Sequence, residues 1–125
     1  MRTALLLVVS LLGASLAHAE KLSAALQVEL QTTMLAHTES LLVDGGYTYI
    51  DTKTDALKTV YPANVHPFVV TLGEDYVVCS EMVDDAGNSI TVDYVVRKMG
   101  GGYKVVQMLL NDREALQGAM SKLGN

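Results

Sequence analysis

The feature that most limits the fold is a change of periodicity at Gly45 and Gly46. Before these glycines, leucine and methionine recur at positions 22, 26, 30, 34 and 41, the spacing of a helix with one apolar stripe. Glycine ends such a helix because it adopts left-handed backbone angles at no steric cost. After the glycines, short segments of strand character are separated by short turns, which join antiparallel neighbours because parallel strands need a crossover of about a dozen residues or more.

The predicted order is one long helix, five or six strands and one short helix. The long helix covers residues 21–43, and the short one starts near Asn111, which has capping-box spacing to Glu114. The strands are expected at residues 47–51, 56–61, 66–72, 76–83, 89–98 and 103–110. A helix with one apolar stripe must bury it, and one face of the sheet is the available partner. The sequence therefore predicts an α+β domain of two layers, with the long N-terminal helix packed on an antiparallel sheet.

Residues 1–19 have the organisation of a secretory signal peptide. Arg2 precedes an apolar run at residues 4–12, and small side chains follow at Ala17 and Ala19. The run is much shorter than the roughly 20 residues that span a bilayer. We expect cleavage before Glu20, which leaves residues 20–125 as a single domain in a bacterial periplasm.

The net charge and the distribution of basic residues limit the classes of partner that we expect. The net charge is −5, and the basic residues are scattered, whereas binding to phosphates needs Lys and Arg on one face. Nucleic acid and anionic lipid are therefore excluded as expected partners.

Cys79 is the only cysteine, so no disulfide forms within the chain. A buried thiol, an intermolecular disulfide and a reactive thiol stay open.

Five residues are candidates for contact with a small ligand. Thr33 and His37 interrupt or border the apolar stripe of the long helix, and Tyr94 lies on the apolar face of its strand. Tyr47 is one of six tyrosines in predicted strands, and His66 lies in a stiffened turn between two prolines. Each has a structural alternative: a core histidine with one hydrogen bond, a turn residue, or a tyrosine that packs on a pleated sheet.

The sequence predicts no catalytic residues, metal ligands or cofactor. The histidines lack the spacing of a metal site. The segment at residues 84–88 lacks the order of a calcium loop and is expected to be a hairpin turn. The three glycines at residues 100–102 precede a strand, so they do not form a phosphate-binding helix start. Neither a G-x-S-x-G motif nor a Cys-His pair at suggestive spacing occurs.

Three stretches resemble known families. G-G-Y-T-Y-I-D at residues 45–51 and A-L-K-T-V-Y-P at residues 56–62 resemble the opening of extracytoplasmic Cache-type, PAS-like sensor domains. The hairpin I-T-V-D-Y-V-V-R-K-M-G-G-G-Y-K-V-V-Q at residues 90–107 is similar to their last hairpin, and equally to the closing hairpin of the NTF2-like superfamily. Either resemblance implies a helix laid over a curved sheet, with a small-molecule pocket between the layers.

The predicted function is that of a small exported, non-catalytic module that binds a small molecule between helix and sheet. The first alternative is a module for interaction with another periplasmic protein or for homodimerisation, through the open sheet face or an edge strand. The second alternative is an NTF2-like enzyme that uses His37 or His66 as its base.

Overall fold

The computed structural model describes residues 22–124. The predicted signal peptide and its cleavage site at Ala17, Ala19 and Glu20 lie outside the described residues. The helices and strands are, in chain order, α1 (Ala24–Leu41), β1 (Tyr47–Asp51), β2 (Ala56–Leu72), β3 (Asp75–Asp84), β4 (Ser89–Met99), β5 (Gly102–Leu110) and α2 (Arg113–Lys122).

The five strands form one open sheet in which each strand pairs antiparallel with the next along the chain, in the order β1-β2-β3-β4-β5. This confirms the predicted α+β fold with an antiparallel sheet. Each connection is a short turn, and several turns use positive φ angles, as at Gly73 and Gly87. Short turns therefore decide both the direction and the order of the strands.

β2 is one strand of 17 residues where the sequence predicted two strands and a turn. Pro62 and Pro67 lie beyond the segment Ala56–Val60, which is the part of β2 that β1 covers. The missing N–H of each proline therefore costs no hydrogen bond to β1. The register against β3 shifts between Pro62 and Asn64 and again between Val65 and Val69. Two irregularities thus replace the predicted turn.

The helix boundaries differ slightly from the prediction. α1 starts after Ser23, whose hydroxyl accepts a hydrogen bond from the N–H of Leu26 at 3.1 Å. α2 is capped by Asp112, one residue later than predicted, because the N–H of Asn111 still donates to the carbonyl of Thr91 at 2.7 Å. Asn111 therefore belongs to the end of the sheet.

The two helices contact opposite faces of the sheet. Successive side chains of a strand point to opposite faces, and Tyr94 of β4 hydrogen-bonds Thr38 of α1, whereas Asp93 contacts Arg113 of α2. The main core lies on the α1 face and contains Leu30, Met34, Val60, Val78, Met82, Ile90, Val92, Tyr94, Val96 and Val105. Within residues 22–124, neither helix has the length and apolarity that a membrane span requires.

Candidate functional site

The five predicted ligand residues are spread over three parts of the structure. Thr33 and His37 lie on α1, Tyr47 and Tyr94 belong to or border the core on the α1 face, and His66 lies on the α2 face. Because the sheet separates the two faces, these residues do not line one common pocket. Their role in binding stays a prediction, and each location is described in turn below.

Thr33 and His37 line an open groove between α1 and β5. Tyr103 and Lys104 form its other side. The Thr33 hydroxyl donates to the carbonyl of Glu29 at 2.9 Å, within its own helix. The groove therefore offers little enclosure to a small molecule.

The polar residue on the buried stripe of α1 is Thr38, four residues after Met34. Its hydroxyl donates to the Met34 carbonyl at 3.0 Å and lies 2.8 Å from the Tyr94 hydroxyl, which also lies 3.3 Å from the Ser80 hydroxyl. Tyr94 is fully buried. Its hydroxyl has two partners inside the core, which is the arrangement that a buried polar group needs for stability.

Tyr47 contributes to an aromatic pair on β1. Its ring stacks on that of Tyr49, with centroids 5.8 Å apart and planes 8° apart, and both side chains pack against the core. The two residues share one face of the strand because they are two positions apart. These contacts give Tyr47 a structural role in the sheet.

His66 lines the cavity that best fits a ligand. This cavity, which we call the α2 cavity, lies between α2 and the sheet face opposite α1 and has a volume of about 330 Å³. That size lies at the lower end of the roughly 300–1,000 Å³ of small-molecule sites. The residues around it are His66, Phe68, Val70, Val77, Cys79, Asp93, Arg113, Leu116, Gln117 and Met120.

An ion pair forms one wall of the α2 cavity. The Arg113 guanidinium donates from Nε and Nη2 to the two carboxylate oxygens of Asp93, at 3.2 and 2.7 Å. The Asp93 side chain is only 2% exposed, whereas that of Arg113 is 48% exposed. The hydrogen bonds that Arg113 donates to Asp93 raise the pKa of Arg113. The wall therefore carries two charges that largely compensate each other.

A thiol and an imidazole meet next to that wall. Cys79 Sγ lies 3.0 Å from His66 Nδ1, and His66 Nε2 lies 3.7 Å from Glu81 Oε1. Burial, followed by the nearby charge of Asp93, raises the pKa of the Cys79 thiol. The thiol therefore keeps its proton at neutral pH and lies within hydrogen-bond distance of His66.

The sequence missed Asp93, Arg113 and the Cys79–His66 contact. The prediction placed Tyr94 on the apolar face of its strand, which puts its neighbour Asp93 on the opposite face, but residues 92–96 are all buried because α2 covers that face. A charged residue inside the run Val92–Val96 is a signal of a paired, buried charge. Cys79 and His66 are 13 residues apart, and the register of β2 against β3 brings them together.

Comparison with protein-family models, with curated proteins and with solved structures gives no match for this chain. The functional argument therefore depends on the geometry of the α2 cavity.

Proposed function

We propose that the chain is an exported, non-catalytic module that binds a small, mainly apolar molecule in the α2 cavity. The observation that carries this proposal is the partly open cavity between α2 and the sheet, with an apolar lining and a few polar groups on one wall. Ligand sites in proteins combine the same two elements: apolar surface for affinity and a few placed polar groups for orientation.

The polar wall suggests the chemistry of the ligand. Asp93 already neutralises Arg113, so a charged ligand group would meet no uncompensated partner on this wall. Arg113 uses Nε and Nη2 for Asp93, and a guanidinium has further N–H donors. A neutral hydrogen-bond acceptor, such as a carbonyl or ether oxygen, is the group that fits these donors.

The wider proposal includes the location and the architecture. Residues 1–19 support export to a periplasm by their sequence. The helix α1 on the sheet supports a two-layer domain of the PAS-like or NTF2-like kind, with α2 as an addition on the second face. In this proposal the ligand lies under the short helix and not under the long one.

The test uses N-phenyl-1-naphthylamine, a neutral apolar dye that fluoresces when it enters an apolar site. We expect the dye to fluoresce with the unmodified protein and to be displaced by neutral apolar molecules. Gln117 is an exposed residue at the rim of the α2 cavity, so Gln117→Trp places a large ring at the opening and should weaken the signal. Ala115→Trp is the matched control, since Ala115 is exposed on α2 and does not line the cavity.

Two outcomes would overturn the proposal. One is that the unmodified protein gives no dye signal and no tested molecule shifts its thermal midpoint. The other is that Gln117→Trp and Ala115→Trp retain the same signal, which would place the dye elsewhere on the surface.

Self-association is a second candidate function, supported by the exposed apolar surface at the mouth of the α2 cavity. Phe68 is 74% exposed and Val70 is 42% exposed. A second copy that covers both would remove this surface from water. Sedimentation velocity should then show a dimer that Phe68→Ser dissociates, and a monomer at all concentrations would refute this alternative.

A further inference from the structure

We propose that Cys79 and His66 form a binding site for a soft monovalent metal ion of the Cu(I) class, with Met120 as a third donor. The inference rests on the proposed function in one respect only, namely that small solutes enter the α2 cavity. It concerns the polar wall of that cavity and adds a ligand class that the apolar lining does not by itself suggest.

The donor atoms are of the soft type. Cys79 Sγ and His66 Nδ1 are 3.0 Å apart, and the methionine side chain of Met120 lines the same cavity. Thiolate and thioether sulfur favour Cu(I), together with zinc and iron–sulfur clusters, and imidazole also binds copper. The Cys79–His66 pair, with Met120 lining the same cavity, therefore matches the donor types of a Cu(I) site.

Glu81 helps to present the correct nitrogen of His66. Its carboxylate lies 3.7 Å from Nε2 and so favours the proton on that nitrogen. The lone pair is then on Nδ1, the atom that faces Cys79. Metal-binding histidines usually donate their other N–H to a carboxylate. Here the separation of 3.7 Å is longer than a hydrogen bond, so Glu81 acts through its charge.

Charge balance favours a monovalent ion. Cys79 lies in the same cavity as the Asp93–Arg113 ion pair, whose two charges compensate each other. When Cu(I) binds, the S–H bond breaks, an S–Cu bond forms, and the proton leaves to solvent; no electron is transferred. One positive charge replaces another, so the net charge of the cavity stays the same, whereas a divalent ion would add a charge near Arg113.

The number of Cys, His, Asp and Glu side chains at the site argues against zinc. Structural zinc sites use four ligands, chosen from Cys, His, Asp and Glu. Residues 22–124 contain no group of three or more of these residue types placed to hold a metal ion. A site with one thiol and one imidazole suits an ion that accepts two or three soft donors.

The site needs a small rearrangement to admit the ion. With bonds of roughly 2.3 Å to sulfur and roughly 2.0 Å to nitrogen, as in zinc sites, a trigonal angle separates the two donors by roughly 3.7 Å. His66 and Cys79 must therefore move apart by less than an ångström. His66 lies in the irregular part of β2, between Val65 and Val69, where the register shifts. Such an irregularity allows a side chain to be re-aimed without loss of strand pairing elsewhere.

The experiment is an anaerobic titration of the purified protein against the coloured Cu(I)–bicinchoninate complex. We expect the protein to remove one Cu(I) per chain. Cys79→Ser should abolish this competition, and His66→Gln should weaken the affinity by more than about 10-fold, the lower end of the loss seen when groups around a metal are removed. Met120→Leu should weaken it by a smaller factor. Met99→Leu and His37→Gln are the matched controls, because neither residue lines the α2 cavity, and both should bind as the unmodified protein does.

Several results would overturn the inference: no competition by the unmodified protein, binding that persists in Cys79→Ser, or Zn²⁺ bound at the same residues with equal affinity. Circular dichroism of each variant separates loss of the site from loss of the fold. Dye binding in the α2 cavity is measured on the same samples. If the unmodified protein binds the dye but not Cu(I), only the Cu(I) inference is refuted. If it binds Cu(I) but not the dye, only the proposed apolar ligand is refuted.

Discussion

Replacement of Arg113 by methionine tests most directly whether a buried ion pair stabilises the packing of α2 on the sheet. Arg113 holds α2 against β4 through its two hydrogen bonds to Asp93. The Asp93 carboxylate is almost completely removed from water. Methionine keeps the apolar stem and the helix propensity of Arg113 but removes the charge. The substitution therefore leaves a buried carboxylate without a counter-ion.

The size of the effect follows from the burial of the two partners. Loss of one partner of a fully buried ion pair costs about 3–5 kcal/mol, because the remaining charge stays desolvated. Here Arg113 is 48% exposed, so water reaches the pair from one side and screens part of the interaction. We therefore expect a loss of about 2–3 kcal/mol in the free energy of unfolding, below the fully buried range.

Urea denaturation followed by circular dichroism measures this loss. With a urea m-value of about 1–2 kcal/mol per molar for a domain of this size, the midpoint should fall by more than about 1 M. Arg97→Met is the matched control. Arg97 makes the same two-fold contact with Asp75, at 3.0 and 2.9 Å, but Arg97 is 57% exposed and Asp75 is 18% exposed. Exposed pairs contribute little, so this midpoint should stay near that of the unmodified protein.

Equal midpoints for Arg113→Met and Arg97→Met would refute the reasoning, since burial of the carboxylate would then have no consequence. A second variant guards against a trivial cause. Asp93→Asn in the Arg113→Met background removes the unpaired charge and should recover part of the lost stability. If it recovers none, the loss arises from packing of α2 and not from the buried charge.

Three further predictions concern the other face and the sheet edge. Leu30→Ala should lower the free energy of unfolding by about 2–5 kcal/mol in urea denaturation, because Leu30 is fully buried in the core. A loss below that range would mean that the core collapses around the gap. Tyr94→Phe should cost about 1–3 kcal/mol, since the Ser80 hydroxyl loses its partner inside the core, and an unchanged midpoint would contradict the hydrogen-bond network. The hydrogen bond from Lys58 lowers the pKa of Asp51 to about 2 from an ordinary 3.8. The stability that this carboxylate contributes is therefore present above pH 3.8 and is lost as the pH falls through about 2. NMR titration of Lys58→Met should show the pKa of Asp51 return towards 3.8, and an unchanged pKa would contradict the Lys58–Asp51 contact.

The order of the secondary structure could be predicted from the sequence because it depends on local patterns. The strand at Tyr47–Asp51 has its predicted bounds, and the hairpin from β3 to β4 differs by a residue or so at each end. Pro62 and Pro67 misled the prediction at β2, because a proline excludes a strand only where its N–H is needed. Which part of β2 has a second neighbour depends on how β1 pairs with it, and no local pattern within β2 encodes that pairing.

The candidate site could be predicted only in fragments. His66 was among the predicted ligand residues, but Cys79, Asp93 and Arg113 were not. The contacts that join them run between β2 and β3 and between β4 and α2, over 13 and 20 residues of sequence. Thr33 and His37 were predicted from their place beside the apolar stripe of α1, and the structure buries Thr38 instead. A shift of one residue along a helix turns a side chain by about 100°, so sequence spacing alone resolves the buried face poorly.

The sequence by itself determined the order of the helices and strands, apart from the continuity of β2, and that neighbouring strands run antiparallel, because periodicity and turn residues act over a few positions. Only the tertiary structure decided that α2 covers the second face of the sheet, that Asp93 is buried against Arg113, and that a thiol and an imidazole share a cavity. These features arise from the packing of elements that are distant in the chain, and packing depends on shape and register that no short stretch of sequence specifies.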